Sequence, residues 1–138
     1  MVWGCAVPLV TVVLCASHFL TGQVSYYAGS LSAARPLARR QTIAVYEAAR
    51  RRQWDLAIKL EAASEEVVKS LKDLERKRGE IVEYEIEEVS FPTGIATKKA
   101  AIVKVTRTGG TFEEGLFGIG YGPFIECLDE DGIRAVRR

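Results

Sequence analysis

Alternating glutamates are the feature of this chain whose residue type and spacing come closest to acid–base chemistry. Glu83, Glu85 and Glu87 occupy every second position of one segment, so they project from the same face of a strand. General acid–base catalysis needs a carboxyl group that is desolvated beside a partner group. A row of this kind is more typical of a solvated face, and we assign no catalytic residue to it. Its charge is also complementary to the run Arg50–Arg52, in the same chain or in a neighbouring copy.

A glycine-rich stretch and an acidic turn look at first like ligand-binding loops. Gly115–Gly122 contains four glycines, but a phosphate-cradling loop must open a helix, and here a proline and a strand follow. Bulges and a sheet corner are the better interpretation. Asp129–Gly132 has three consecutive carboxylates without the spacing of a calcium loop, so we predict a turn. Cys5, Cys15 and Cys127 also lack metal-ligand spacing, and we expect no metal and no cofactor.

Aromatic and basic residues supply two further groups of candidates. Trp54, Tyr84 and Phe112 could line a ligand cavity, although core packing is the commoner role of aromatics in a small domain. The candidates for membrane-proximal basic contacts are Arg35, Arg39, Arg40, Arg50, Arg51 and Arg52. Near a cytoplasmic membrane surface each such residue adds about 1 kcal/mol of attraction to anionic lipids, whereas elsewhere they form a solvated helix face. Nucleic acid is not an expected partner, because the net charge is only +1 and few aromatics interleave the basic stretch.

Helical signals fill the stretch from Gln41 to Gly79. Residues 41–63 are rich in Ala, Leu, Arg and Glu, with apolar positions three or four apart. Ser64 is typical of a helix N-cap before two glutamates, and Gly79 is typical of a helix end. The pattern predicts two helices, or one long helix that is broken near residues 62–64.

The period changes to two after Gly79 and predicts strands. The adjacent acids Glu87 and Glu88 interrupt the first alternation, which predicts a β-bulge there. Gly109 and Gly110 are the strongest hairpin signal in the chain. The later strand segments are 101–105, 112–119 and 124–128, with Ile133, Ala135 and Val136 continuing the pattern. Helices followed by a meander predict an α+β fold, with the helices packed on one face of a curved antiparallel sheet of about four strands.

The N-terminus predicts delivery to a membrane. Residues 1–20 carry no charged side chain, and roughly 20 apolar residues are what a helix needs to cross the hydrocarbon core. Small residues at Cys15–Ser17 would suit cleavage of a signal peptide, whereas Tyr26 and Tyr27 are placed like the interfacial aromatics of a retained anchor. A third alternative, a buried helix of a soluble domain, ranks lowest because such helices rarely run twenty residues without a charge. We favour a retained, single-pass anchor with residues 2–20 in the membrane. The side of the membrane on which the domain lies stays open. The arginines beyond the apolar segment favour the cytoplasm, whereas the signal-like layout favours export.

We expect the chain to consist of an anchor, a tether and one domain. Residues 1–25 form a transmembrane helix or signal anchor, and residues 26–40 form a polar and basic tether. Residues 41–138 form one α+β domain, since 98 residues suffice for a single core.

The order of elements resembles a known family. Helices through RRRQWDLAIKLEAASEEVVKSLKDLERKRGE and strands in EYEIEEVSF, KAAIVKVTRTGG, TFEEGLFGI and GIRAVRR resemble the small nuclear-transport-factor-like domains of the cystatin-like fold. The resemblance covers residues 41–138 and implies a cone of helices against a bent sheet, in proteins that serve as binding, dimerisation or assembly modules as well as enzymes. The chain has no histidine after His18 and no recognisable pairing of a buried acid with a tyrosine, so no functional residue is carried over.

Two functions from different classes are expected. The first is a membrane-anchored, non-catalytic interaction or assembly module, such as an accessory subunit of a membrane complex, with a protein partner or self-association. The alternative is a small-ligand-binding domain or enzyme that uses a cone-shaped cavity, with Glu113 or Glu114 as base. An exposed apolar patch of several hundred Å² would favour the module, and an open pocket with a desolvated acid would favour the enzyme.

Overall fold

The computed structural model describes residues 31–92 and 97–138, so the predicted membrane anchor lies outside the described residues. The elements are α1 Leu31–Arg50, α2 Trp54–Lys59, α3 Glu65–Arg78, β1 Ile81–Ser90, β2 Lys98–Arg107, β3 Gly110–Ile119, β4 Phe124–Leu128 and α4 Glu130–Val136. The four strands form one antiparallel sheet in the order β1-β2-β3-β4. Helices α1 and α3 pack against it and α2 packs against these two helices, which confirms the α+β class. Within the two described ranges, no helix is long and apolar enough to span a bilayer.

The first helix begins earlier than the sequence pattern indicates. It starts at Leu31, ten residues before the predicted start at Gln41, so residues 31–40 are helical and belong to the domain. Ala34 and Ala38 are almost fully buried in the core. The Arg35 guanidinium donates a hydrogen bond to the carbonyl oxygen of Val89 and lies 5.0 Å from the ring centroid of Phe91. The first turns of α1 are thereby fastened to β1.

The predicted helix caps are confirmed, although the helical stretch holds three helices. Ser64 accepts a hydrogen bond from the backbone N–H of Val67 at 3.3 Å and begins α3. Gly79 ends α3 with a φ of 94°. A Cβ atom at this position would lie 1.8 Å from the side-chain oxygen of Thr108, so both the backbone conformation and the close approach require glycine. The break that divides α1 from α2 lies at residues 51–53, and Arg52 adopts a φ of 58° there.

The bulge and the hairpin of the sheet follow the sequence pattern closely. The register of β1 against β2 shifts between Ile86 and Glu88, as predicted, and a second shift lies between Ile81 and Glu83. Arg107 pairs with Gly110 across the β2–β3 hairpin. Its two-residue turn is therefore Thr108–Gly109, one position before the predicted glycine pair.

The prediction of a final strand segment at Ile133–Val136 is wrong, because these residues belong to α4. Asp129 caps this helix by accepting a hydrogen bond from the backbone N–H of Gly132 at 2.7 Å. Acidic residues in the first turn then favour the helix through its dipole. The buried side chain of Ile133 packs against the outer face of the sheet, and a Cβ atom at Gly115 would lie 3.2 Å from it. Glycine in β3 therefore makes room for α4.

The core lies between the inner face of the sheet and helices α1 to α3. Full burial of one Val, Leu or Phe side chain stabilises the folded state by about 1.5 to 3 kcal/mol. The largest apolar contributors from the strands are Val103, Val105, Leu116 and Phe124, and those from the helices are Val45, Tyr46, Val67 and Leu71. Four alanines of α1 are also buried, which allows this helix to approach the sheet closely.

Candidate functional site

A buried ion pair lies on the inner face of the sheet. Glu114 of β3 and Arg107 of β2 both point toward the helices and are 2% and 3% exposed. Arg107 Nε lies 2.8 Å from Glu114 Oε2, and Arg107 Nη2 lies 3.0 Å from Glu114 Oε1. Two parallel bonds of this kind fix the carboxylate in one orientation.

Two further donors reach the same carboxylate from the helices. The Tyr46 hydroxyl of α1 donates to Glu114 Oε1 at 3.2 Å, and Arg78 Nη1 of α3 lies 3.4 Å from Oε2. Arg107 in turn donates through Nη1 to the carbonyl oxygen of Gly79 at 2.8 Å. We refer to Tyr46, Arg78, Arg107 and Glu114 as the Glu114 cluster. It joins α1, α3, β2 and β3 at one point.

The carboxylate of the Glu114 cluster has its full complement of hydrogen bonds. A carboxylate offers about four lone-pair sites, and each oxygen of Glu114 accepts from two donors. Burial, followed by the nearby charge of Glu114, raises the pKa of Tyr46 well above its usual value. The tyrosine is therefore a protonated donor throughout the neutral range. The arrangement leaves no lone pair of Glu114 for a substrate proton. Its role is to hold α1 and α3 on the sheet, and we call this role a brace.

A buried lysine occupies the other end of the inner face. Lys99 of β2 is 1% exposed, and its Nζ lies 2.7 Å from Gln41 Oε1 and also donates to the carbonyl oxygen of Gly122. The ammonium stands 4.9 Å from the ring centroid of Phe124. Burial lowers the pKa of Lys99 to about 7. A desolvated amine can serve as a nucleophile, but this one is already bonded on both sides and ties α1 to the turn after β3.

The aromatic candidates for a cavity lie in two places. Tyr84 and Phe112 flank Val105 in one cross-strand row of the inner face, where the Tyr84 ring lies 5.8 Å from that of Tyr46. Trp54 lies apart from them on α2. It lines a surface groove of about 470 Å³, together with Arg52, Leu56, Lys59 and Lys72 among others. We refer to this feature as the Trp54 groove.

The basic candidates are divided between ion pairs and open surface. Arg39 and Arg40 are exposed on α1 and make no ion pair with the described residues. Arg50 and Arg51 both bind Glu47, with N–O distances of 2.6 Å. Arg52 lies 3.4 Å from Glu75 and 3.7 Å from Glu80.

The contacts of Glu47 with Arg50, Arg51 and Tyr84 shift the pKa values of Glu47 and Tyr84. Its hydrogen bond with Arg50 is the main reason that the pKa of Glu47 falls to about 2. The Tyr84 hydroxyl also donates to Glu47, at 2.9 Å. Partial burial, together with this bond, raises the pKa of Tyr84 to about 12.

The acidic row of β1 meets α4 in place of the Arg50–Arg52 run. Arg137 lies 3.0 Å from Glu87 and 3.6 Å from Glu88, and it also binds Glu113. Glu83 and Glu85 are exposed and make no ion pair within the described part of the chain. Glu85 has Lys104 of β2 directly opposite in the register, and Glu83 has the uncharged Thr106 opposite.

Sequence reasoning missed the Glu114 cluster. It recognised no pairing of a buried acid with a tyrosine, yet Tyr46 and Glu114 are hydrogen bonded although 68 residues separate them. One local signal was available. Arg107 lies in phase with Val103 and Val105, and Glu114 lies in phase with Leu116, so two charged residues fall on the inward face of a strand pattern.

The described ranges contain no group of three or more His, Cys, Asp or Glu residues placed to hold a metal ion. Comparison with known proteins adds no template: no protein-family model, no curated protein and no solved structure matches this chain. Its function must therefore be sought in its own residues.

Proposed function

We propose that this chain is a membrane-anchored, non-catalytic interaction module, of the kind that serves as an accessory subunit of a membrane complex. The uncharged residues 1–20 support the anchor, because their number matches the thickness of the hydrocarbon core. The observation that carries the non-catalytic role is the saturated carboxylate of Glu114.

A general base must have a free lone pair within reach of a substrate proton. Glu114 has four donors on its two oxygens and is 2% exposed. A substrate would have to displace an arginine or the tyrosine from a closed core, which would leave a buried charge without its partner. The cluster therefore serves to hold the helices on the sheet, and binding falls to the outer surface.

The element order supports a relationship to the cystatin-like fold. Helices that precede a four-stranded antiparallel meander and pack on one of its faces are what that resemblance implies, although the segment GIRAVRR, a strand in the resemblance, belongs to α4 and the fourth strand is Phe124–Leu128. Because the same architecture hosts unrelated activities, it supports a scaffold for binding without identifying the partner.

The exposed arginines of α1 support a domain held close to the lipid surface. The chain is helical from its first described residue, Leu31, and α1 exposes Arg39 and Arg40. With the domain in the cytoplasm, these two arginines contact anionic head groups, each with about 1 kcal/mol of attraction.

A second candidate function is a small-ligand-binding domain or enzyme. The contact of Tyr46 with Glu114 favours it, because a buried acid beside a hydroxyl is an arrangement used in proton transfer. This function requires Arg107 to release the carboxylate when the ligand enters.

Native mass spectrometry of the full-length protein, extracted in mild detergent, separates the two candidates. Wild type is compared with Glu114→Gln and with the neighbouring Glu113→Gln as control. The interaction module predicts a stoichiometric protein subunit or a second copy in all three samples. A monomer that carries a small molecule, whose occupancy per folded chain falls in Glu114→Gln but not in Glu113→Gln, would establish the second candidate instead.

A further inference from the structure

The Trp54 groove presents three cations, Arg52, Lys59 and Lys72, and one carboxylate, Asp55, beside exposed apolar surface. Trp54 is half-buried and Leu56 is 39% exposed, while the Lys72 ammonium lies 5.8 Å from the Trp54 ring centroid. Within the described residues, Lys59 makes no ion pair and the indole N–H of Trp54 has no acceptor. Free donors around an apolar floor fit a segment that carries carboxylates next to an apolar side chain.

A segment with this chemistry lies at the start of β1. Val82 falls at the register shift between Ile81 and Glu83, and it is 58% exposed. The neighbouring acids Glu83 and Glu85 are exposed and make no ion pair within 4 Å in the described ranges, although Lys104 of β2 lies opposite Glu85 in the register. We refer to Val82, Glu83 and Glu85 as the acidic edge. It is accessible because β1 is an outer strand of the sheet.

The groove and the acidic edge adjoin at the same end of the domain. Arg52 lines the groove and lies 3.7 Å from Glu80, which immediately precedes β1. Within one chain the acidic edge stays outside the groove. Two adjoining, complementary patches on one chain suit a twofold pair, in which each groove receives the edge of the other copy.

We propose that a second copy of this chain docks through the Trp54 groove, with Val82 against Trp54 and Leu56 and with Glu83 and Glu85 facing Lys59 and Lys72. The inference rests on the proposed function, because anchoring in one membrane concentrates and aligns the copies, so that a small charged interface suffices. Complementary charges then select the pairing and its orientation.

Disulfide trapping between full-length chains in vesicles tests this pairing. In a background in which Cys5, Cys15 and Cys127 are replaced by alanine, Leu56→Cys and Val82→Cys are placed in separately tagged, co-expressed chains. Mild oxidation is expected to link the two tags, whereas either variant alone gives at most a trace of dimer. Using separate chains excludes a bond within one copy.

Charge reversal provides the second readout. Lys72→Glu is expected to lower the yield of linked dimer at least about tenfold, and so is Glu83→Lys. Both changes in the same chain restore the yield, because the pair is rebuilt with opposite signs. The controls are Lys77→Glu and Glu126→Lys, which are exposed but lie outside both patches and leave the yield unchanged.

Absence of the mixed disulfide in chains that float with the vesicles overturns the proposal, and so does a disulfide that is insensitive to Lys72→Glu. Chains that fail to float contradict the anchor and not the pairing. The same mixed disulfide is then read in solution at raised protein concentration, with the same two outcomes. A groove that links only to a different protein also overturns self-association.

Discussion

Arg107 and Glu114 form a bidentate ion pair inside the core, with N–O distances of 2.8 and 3.0 Å and side chains that are 1% and 2% exposed. Desolvation of two such charges is expensive, and mutual attraction offsets it only when the remaining hydrogen-bonding groups are also satisfied. Tyr46, Arg78 and the carbonyl oxygen of Gly79 meet that condition. Losing either partner should therefore harm the fold more than losing a surface pair.

The first prediction concerns this pair. Glu114→Gln is expected to lower the free energy of unfolding by about 3 kcal/mol, because it leaves Arg107 buried without a counter-charge. Glu113→Gln, which loses a surface pair with Arg137, should cost less than about 1 kcal/mol. Urea unfolding of both variants gives the comparison. Equal losses would contradict the assignment of the interior pair as the brace.

The double variant Arg107→Met/Glu114→Leu sharpens that test. Replacing both charges by apolar groups removes the desolvation cost along with the attraction. We expect this variant to be more stable than Glu114→Gln alone. A double variant that is still less stable would mean that the hydrogen bonds to Tyr46 and Gly79 outweigh the charge pair.

The second prediction concerns pH and Lys99. Burial lowers its pKa to about 7 in the folded state, while in the unfolded chain it stays near its usual value of about 10.4. Between these values the unfolded state binds more protons, so stability rises with pH. From pH 7 to pH 9 the gain from this residue should be about 2 kcal/mol. Below about pH 6 both states are protonated and this contribution is flat.

Urea unfolding of wild type and Lys99→Met at pH 7 and pH 9 measures that gain. The variant lacks the titrating amine, so the difference between the two proteins isolates Lys99 from the other groups that titrate. The same pH dependence in both proteins would show that Lys99 is not desolvated as described.

The third prediction concerns the end of α3. Gly79→Ala is expected to destabilise the protein by about 1 to 3 kcal/mol, because alanine is strained at a positive φ and its Cβ would overlap the Thr108 side chain. Gly122→Ala is the matched control, since a Cβ there finds its nearest neighbour at 3.6 Å. Thermal unfolding of the two variants is compared. A fall in Tm for Gly122→Ala as large as that for Gly79→Ala would refute the geometric reason.

The fourth prediction concerns the attachment of α4. Ile133→Ala should cost about 2 to 4 kcal/mol, because this buried side chain seats the helix on the sheet. Arg137→Ala should cost less than about 1 kcal/mol, because its three carboxylate partners are solvent-exposed. Hydrogen exchange of the α4 amides reports the detachment directly. Faster exchange in Arg137→Ala than in Ile133→Ala would mean that charge holds the helix.

Local signals carried the predictable part of the fold. Ser64 and Gly79 mark the ends of α3 through caps that involve only neighbouring residues. The adjacent acids Glu87 and Glu88 indicate the β-bulge because they interrupt a strict alternation. Two local signals compete near the C-terminus: the alternation at Ile133 and Ala135 indicates a strand, whereas Asp129 upstream favours a helix as its N-cap, and the structure contains the helix.

The candidate site was less accessible to sequence reasoning. Tyr46 and Glu114 meet only because α1 packs on the inner face of the sheet, a long-range relationship that no spacing in the chain encodes. Similarly, the helical nature of residues 31–40 depends on the burial of Ala34 and Ala38 against the sheet, whereas their composition looked like a tether. Contacts between distant segments decided both outcomes.

Alkaline carbonate extraction of membranes distinguishes a module that stays attached to the membrane from one that is released. The full-length chain is expressed with a C-terminal tag, and the size of the tagged band is recorded in the pellet and in the supernatant. A retained anchor predicts a full-length band that stays in the pellet. Release of a band shorter by about 2 kDa would contradict the account and would identify the apolar segment as a cleaved signal peptide.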